Sequence, residues 1–310
     1  MKTFAIVGAG AVGSYYGGRL AAAGNDVSFL LRADYDAVKS NGLRVESIDG
    51  DFSLAEVSCA RTAEEIGPVD VVIVAWKATS NEFAEEVLTP LLHGETLILS
   101  MQNGLGNLEH FGSLFGMERM LGAMCFVCLN RIEPGFIRHT GGGMITIGEA
   151  LGGSTDRLRD LAAIFEQAGI ECRVSPDFVE SQWRKLVWNV PFNGLCITEG
   201  GIDTGVLLAM PDGEARVREL MREVQAVARA LGYEIEDEFL EMQIERTYPM
   251  KDYRPSSMID FVKGLPVEVE AIWGEPLLCA RAAQVEVPRL VELDAEIRKK
   301  VYEGYSTSGC

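Results

Sequence analysis

Short apolar runs alternate with segments of helical period through the first half of the chain. Residues 4–7 form a β-type run, glycines follow, and residues 14–23 carry the small and apolar side chains of a helix packed on a sheet. Gly24-Asn25-Asp26 suits a helix stop. Residues 27–31 then read as a second buried strand, 69–75 as another after Gly67-Pro68, and 96–100 as one more. Strands spaced by helical segments predict parallel pairing through right-handed crossovers, hence an open, doubly wound α/β sheet whose ligands collect at the C-terminal strand ends.

Residues 125–130 and 144–147, joined across Glu133-Pro134-Gly135 and Gly141-Gly142-Gly143, read as later strands of antiparallel character. Residues 155–168 read as a helix capped by Ser154, and 171–174 as a last edge strand before Ser175-Pro176-Asp177. Beyond that the period is helical, over 178–193, 214–231, 237–247, 267–284 and 290–303. The expected organisation is an N-terminal Rossmann-type domain over 1–175 and an all-helical C-terminal domain over 176–310.

Composition narrows the class. The 310 residues exceed the usual size of a single core, 47% are hydrophobic and 24% charged, and no apolar run approaches the roughly 18 residues of a membrane span. The start of the chain leaves no room for a secretory leader, so a cytoplasmic protein that does not engage membranes is expected. A formal net charge of -18 argues against nucleic acid as a partner, while a few placed cations can still hold a small anion. The seven cysteines are an odd number scattered mostly in apolar stretches and read as reduced thiols. Cys125 and Cys128 form a C-x-x-C, but with no second pair and histidines only at 93, 110 and 139, no metal site is expected.

Gly8-Ala9-Gly10-Ala11-Val12-Gly13 reads G-x-G-x-x-G, directly after the first expected strand and directly before the first expected helix. The first glycine permits a tight turn, the second admits a pyrophosphate against the backbone, and the third lets helix and strand pack closely. A glycine-rich turn without a ligand is the plainer alternative. An NAD site usually carries an acidic side chain about 20 residues further on, to hold the ribose 2′-hydroxyl. Here the chain reads Phe29-Leu30-Leu31-Arg32. No carboxylate excludes a 2′-phosphate and Arg32 can clamp one, which predicts NADP(H); a solvated arginine near Asp34 is the alternative.

Reduction of a ketone needs a proton donor at the carbonyl oxygen. The three histidines stand near glycines or in loops without a partner set. Lys185, Asn189 and Asn193 are spaced four apart, so they share one helical face among Trp183, Leu186, Val187, Trp188 and Phe192. On so apolar a helix these groups are expected to be partly enclosed, and enclosure lowers a lysine pKa toward a useful value. A surface lysine above two exposed amides is the alternative.

Four blocks in this order resemble the 2-dehydropantoate 2-reductases, or ketopantoate reductases. They are the glycine hexapeptide, Gln102-Asn103-Gly104-Leu105-Gly106, Trp183-Arg184-Lys185-Leu186 with Asn189 and Asn193, and Ser256-Ser257-Met258 followed by Pro266-Val267-Glu268-Val269-Glu270. The resemblance implies that Lys185 is the general acid at the substrate carbonyl, that Asn103 sits where nicotinamide and substrate meet, and that Glu268 completes the site near both. It also implies Lys77 as a cofactor lysine and Cys128 as a backbone contact to cofactor. Asn189, Asn193, Ser256 and Ser257 resemble the groups that hold the substrate's hydroxyl and carboxylate.

The chain departs from the pattern at Tyr253-Arg254-Pro255, where the family often has an asparagine, and the interval from Ser257 to Glu268 is one residue short. Asn193 also precedes Gly194 where proline is common. Arg254 is either a two-pronged holder of the substrate carboxylate or an exposed side chain. The implied activity is NADPH-dependent reduction of a small 2-keto acid, 2-dehydropantoate to (R)-pantoate, toward pantothenate and coenzyme A. Another branched 2-keto acid, or an NADPH sensor without turnover, are the competing readings. The substrate is expected in a cleft between the domains; the apolar positions of the later helices leave a homodimer open.

Overall fold

A computed structural model describes residues 2–307 of the protein. The chain divides into two compact units. One holds the residues up to Gln102 together with Asn107–Phe178; the other takes Asn103–Gly106 and the residues from Val179 onward.

The first unit is built on a ten-stranded mixed sheet. Its strands are β1 (Thr3–Val7), β2 (Asp26–Leu30), β3 (Leu43–Ser47), β4 (Phe52–Leu54), β5 (Ser58–Ala60), β6 (Val71–Val74), β7 (Leu97–Ser100), β8 (Met120–Glu133), β9 (Phe136–Glu149) and β10 (Cys172–Val174). Six lie parallel in the order β5-β2-β1-β6-β7-β8, the doubly wound order in which strand succession reverses between β1 and β6. The expected α/β sheet is therefore present. It continues past β8 as a wing: β9 antiparallel to β8, β3 parallel to β9, β4 antiparallel to β3, and β10 beside the second half of β9.

The first helix (Ala11–Ala22) explains the wing, because it touches β1 and β2 and also β3, β4, β8 and β9, so that the sheet curls around it. Residues 13–18 and Leu20 are all buried. A Cβ on Gly17 would lie 2.7 Å from Ile6 Cγ1, and one on Gly18 2.8 Å from Leu43 Cδ2. Each helical glycine costs about 1 kcal/mol against alanine; here the close approach of buried Ile6, Phe29 and Leu43 offsets it.

Several boundaries differ from expectation. The cap of the Asp156–Gln167 helix is Thr155, whose Oγ1 accepts from Leu158 N at 3.3 Å; Ser154 instead accepts from Arg159. Strands β8 and β9 run fourteen residues each, far beyond 125–130 and 144–147. Only Pro134-Gly135 turns the chain. Gly141-Gly142-Gly143 stays in β9, with Gly142 and Gly143 at φ +69° and +123°, because the partner strand supplies the ladder and the glycines absorb register shifts as bulges.

The second unit is helical. Its main helices are Phe178–Thr198, which begins at the break between the units, Gly213–Ala230, Asp237–Thr247, Glu275–Ala282 and Pro288–Thr307, with shorter ones at Thr204–Ala209 and Ser256–Val262. Trp183, Leu186, Val187, Val190 and Phe192 of the long helix pack with Met221, Val224, Ile272, Trp273, Leu290 and Ile297 into one core. The helix expected over 267–284 begins later and contains a wide π turn, Glu270–Gly274, before Glu275–Ala282. Pro276 offers no N–H to Ile272 O and its ring crowds that carbonyl, so the turn opens. Among the described residues no helix is long and apolar enough to cross a membrane, and no cluster of three or more His, Cys, Asp or Glu side chains could hold a metal ion. Cys125 and Cys128 both lie on β8 and are not joined in a disulfide.

Candidate active site

In the first unit, strand register brings the C-terminal ends of β2, β1, β6 and β7 to one edge of the sheet, since Val7 pairs with both Leu30 and Val74, and Val74 with Ser100. Gly8, Arg32, Lys77 and Gln102 all leave from that edge. Gly8 has φ +90°, and a Cβ there would lie 2.2 Å from Trp76 N, so the β1 and β6 exits touch backbone to backbone at the point where strand order reverses. Gly10 N donates to Gly8 O at 2.8 Å and Ser14 Oγ to Ala9 O at 3.0 Å, which closes the turn. A Cβ on Gly13 would meet Gly8 O at 2.6 Å and Ile6 Cγ2 at 3.0 Å.

Gly10 is different. A Cβ there would meet no protein atom within 4 Å, so the protein's own packing does not demand glycine. A group lying over the turn would. The helix that follows has no side-chain cap and no acidic residue in its first turn, which leaves its N–H groups suited to a phosphate. Ala9, Ala11 and Val12 are half-buried around it. Arg32 is exposed and its guanidinium makes no ion pair among the described residues, while the neighbouring Asp34 is spent on Arg131 at 2.5 Å. These residues fit a dinucleotide, and the Arg32 position fits a further phosphate. Lys77 is half-buried just after β6; Cys128 is half-buried on β8 opposite Gly141, beyond the end of β7.

In the second unit, Lys185 Nζ donates to Asn103 Oδ1 at 2.8 Å. Asn103 belongs to a four-residue segment gripped at three points: Gln182 Nε2 donates to Gly104 O at 3.0 Å, Leu105 N donates to Ala271 O at 2.9 Å, and Lys185 holds Asn103. Gly104 has φ +82°, and a Cβ would fall 2.2 Å from Ala271 O. No other residue can pass there. Glu268 lies three residues before Ala271 and is only 8% exposed.

The polar stripe of the long helix is real and enclosed. Asn189 is 8% exposed and Asn193 1%. Asn193 Oδ1 accepts from Ser257 N at 2.9 Å, so it supplies a cap to the Ser256–Val262 helix, whose own Pro255 offers none. Asn189 differs: its amide makes no hydrogen bond among the described residues. Ser257 is buried, whereas Ser256 and Arg254 are exposed, and Arg254 forms no ion pair among the described residues. Gln182 was missed in the sequence although it lies three residues before Lys185, on the same face. Asn81 and the inward role of Gln102 had no local signal.

Comparison with known proteins agrees across the chain. The family described as Ketopantoate reductase PanE/ApbA matches residues 4–152, and its C-terminal counterpart, Ketopantoate reductase PanE/ApbA C terminal, matches residues 177–300. A 2-dehydropantoate 2-reductase of a Nostoc species is 40% identical over 93% of this chain and 92% of its own. The crystal structure of 2-dehydropantoate 2-reductase from Geobacter metallireducens is similar at 44% identity and a TM-score of 0.93, covering 96% of this chain and 99% of that one. D-mandelate dehydrogenase, solved with NADH and anilino(oxo)acetate, shares the fold at 22% identity and a TM-score of 0.89, over 98% and 99% of the two chains.

Proposed function

The chain belongs to the ketopantoate reductase family, and from that premise we propose that it reduces 2-dehydropantoate to (R)-pantoate with NADPH, Lys185 acting as general acid. The observation that carries the reading is the enclosed stripe in which Lys185 Nζ reaches Asn103 Oδ1 at 2.8 Å while the Asn189 amide, one turn on, has no protein partner among the described residues. That amide is set in a mostly apolar, enclosed face yet open to a ligand, and a 2-keto acid bearing a hydroxyl and a carboxylate offers it a hydrogen bond.

The nicotinamide cofactor, when bound, supplies the hydride. What the chain contributes is position, charge and a proton. The Gly8-to-Gly13 turn admits the pyrophosphate against backbone N–H groups, Arg32 presents a guanidinium to a 2′-phosphate, and Lys77 and the Cys128 backbone hold further parts of the nucleotide. Lys185 Nζ gives its proton to the carbonyl oxygen as the carbon is reduced, so that ketone, hydride and proton become alcohol without a free alkoxide. Asn103 orients the ammonium; Asn189, Asn193, Ser256 and Ser257 hold the substrate's polar groups, and Glu268 supports both ligands. Arg254, exposed where the family often has asparagine, favours a second reading in which a different branched 2-keto acid is preferred.

Steady-state assay with 2-dehydropantoate and NADPH tests both. Lys185→Ala is expected to lower kcat by roughly 10²–10⁴-fold, and kcat/KM is expected to be highest for 2-dehydropantoate among branched keto acids. Full activity in Lys185→Ala, or a distinctly better substrate, refutes the corresponding reading. Arg32→Glu should turn the preference from NADPH toward NADH; an unchanged ratio removes Arg32 from the site.

A further inference from the structure

Asn81 lies in the short 3₁₀ turn Ala78–Phe83 that follows β6. Its Oδ1 accepts from Trp76 Nε1 at 3.0 Å and from Gln102 Nε2 at 2.7 Å, and its Nδ2 donates to Asn107 Oδ1 at 2.9 Å. His110 Nε2 lies 3.1 Å from its backbone carbonyl. Gln102 is fixed a second time, since its Oε1 accepts from Ser100 Oγ at 3.0 Å at the end of β7.

The partners are telling. Gln102 and Asn107 are the residues immediately before and after Asn103–Gly106, the segment that the chain contributes to the second unit and whose Asn103 receives Lys185. Trp76 is the residue whose backbone packs on Gly8, and Lys77 follows it. One amide thus ties the roots of the Asn103 segment to the exit of β6. That segment carries glycines at φ +82° and +80°, a backbone that would sample many conformations if its ends were loose.

We infer that Asn81 is a positioning residue of the reductase: by clamping both roots of the 103–106 segment it sets where the Asn103 amide meets Lys185. The inference rests on the reading of Lys185 as general acid. The bonds of Asn81 to Gln102 and Asn107 are the route by which it acts on the segment.

The test compares wild type, Asn81→Ala and Asn81→Asp in two ways: turnover of 2-dehydropantoate with NADPH, and amide hydrogen exchange over residues 102–107. Aspartate keeps both acceptor contacts, and Asn107 can turn its amide to donate to it. Asn81→Ala is expected to lose about ten- to a hundredfold in kcat, as a displacement near 1 Å can cause, and KM for NADPH should change less than about threefold if ground-state binding is spared. Exchange across 102–107 should quicken, and Asn81→Asp should recover most of kcat. Unchanged exchange, unchanged kcat, or equal losses in the alanine and aspartate variants overturns the inference. If Asn81→Ala does not fold, Asn81→Ser takes its place under the same criteria. A wild type without turnover refutes the proposed function, while the exchange comparison, which needs no turnover, still decides whether Asn81 holds the segment.

Discussion

Lys185 and Asn103 stand 82 positions apart in the chain, yet one hydrogen bond joins them. Half of that pair was legible: three polar residues at four-residue spacing on an apolar helix mark Lys185, Asn189 and Asn193 as a shared face. The other half came from the resemblance alone, because the contacts that bring residues 103–106 into the second unit, with Gln182, Lys185 and Ala271 among them, are ones that no local pattern encodes. Asn193 shows how one side chain does structural work inside the stripe. Asn193→Ala strands the buried Ser257 N–H and should cost about 1–3 kcal/mol in a denaturant titration. Asn193→Asp, which keeps the acceptor, should cost less. A neutral alanine variant would show that water replaces the cap.

At the scale of elements, the corrected helix start is testable. Thr155 closes the first turn of the Asp156–Gln167 helix and also bonds the buried carboxylate of Glu149, which Arg157 grips with two nitrogens. Thr155→Ala should cost at least about 1 kcal/mol, whereas Ser154→Ala, at a residue outside the cap, should stay within about 0.5 kcal/mol. Thermal melts of the two variants decide it, and equal shifts would return the cap to Ser154. The glycine run at 141–143 taught a related lesson. Glycines mark backbone freedom, and only the partner strand decides whether that freedom becomes a turn or a bulge.

At the scale of the molecule, the acid limb of stability follows from carboxylates held below their usual range. Asp70 is lowered first by the Thr3 backbone N–H, which donates to its Oδ2 at 2.7 Å and ties the start of β1 to the start of β6. The Tyr248 hydroxyl lowers Glu214, and the Arg298 guanidinium lowers Glu270. In each case the unfolded chain binds protons more readily than the folded one. The stability they contribute is present above the ordinary carboxylate pKa of about 4 and is lost as pH falls through the lower folded values. Glu223, raised by burial, acts with the opposite sign. The urea midpoint should therefore fall between about pH 5 and pH 3, and Asp70→Asn should make that fall shallower. An identical pH profile in the variant would assign the acid limb to other groups.

By itself the sequence determined the parallel sheet, the glycine turn after β1, the helical second half and the face that bears Lys185. Each of these depends on a period or a spacing within some ten residues, and such patterns survive in one dimension. Only the tertiary structure decided that the sheet curls around the first helix, that a wide turn stands where a regular helix was expected, and that Asn103 leaves the first unit to meet the lysine. Those outcomes come from packing between residues far apart in the chain: the close approach of β-strands to Gly17 and Gly18, the carbonyl of Ala271 against Gly104, and the Asn81 amide on both roots of one short segment.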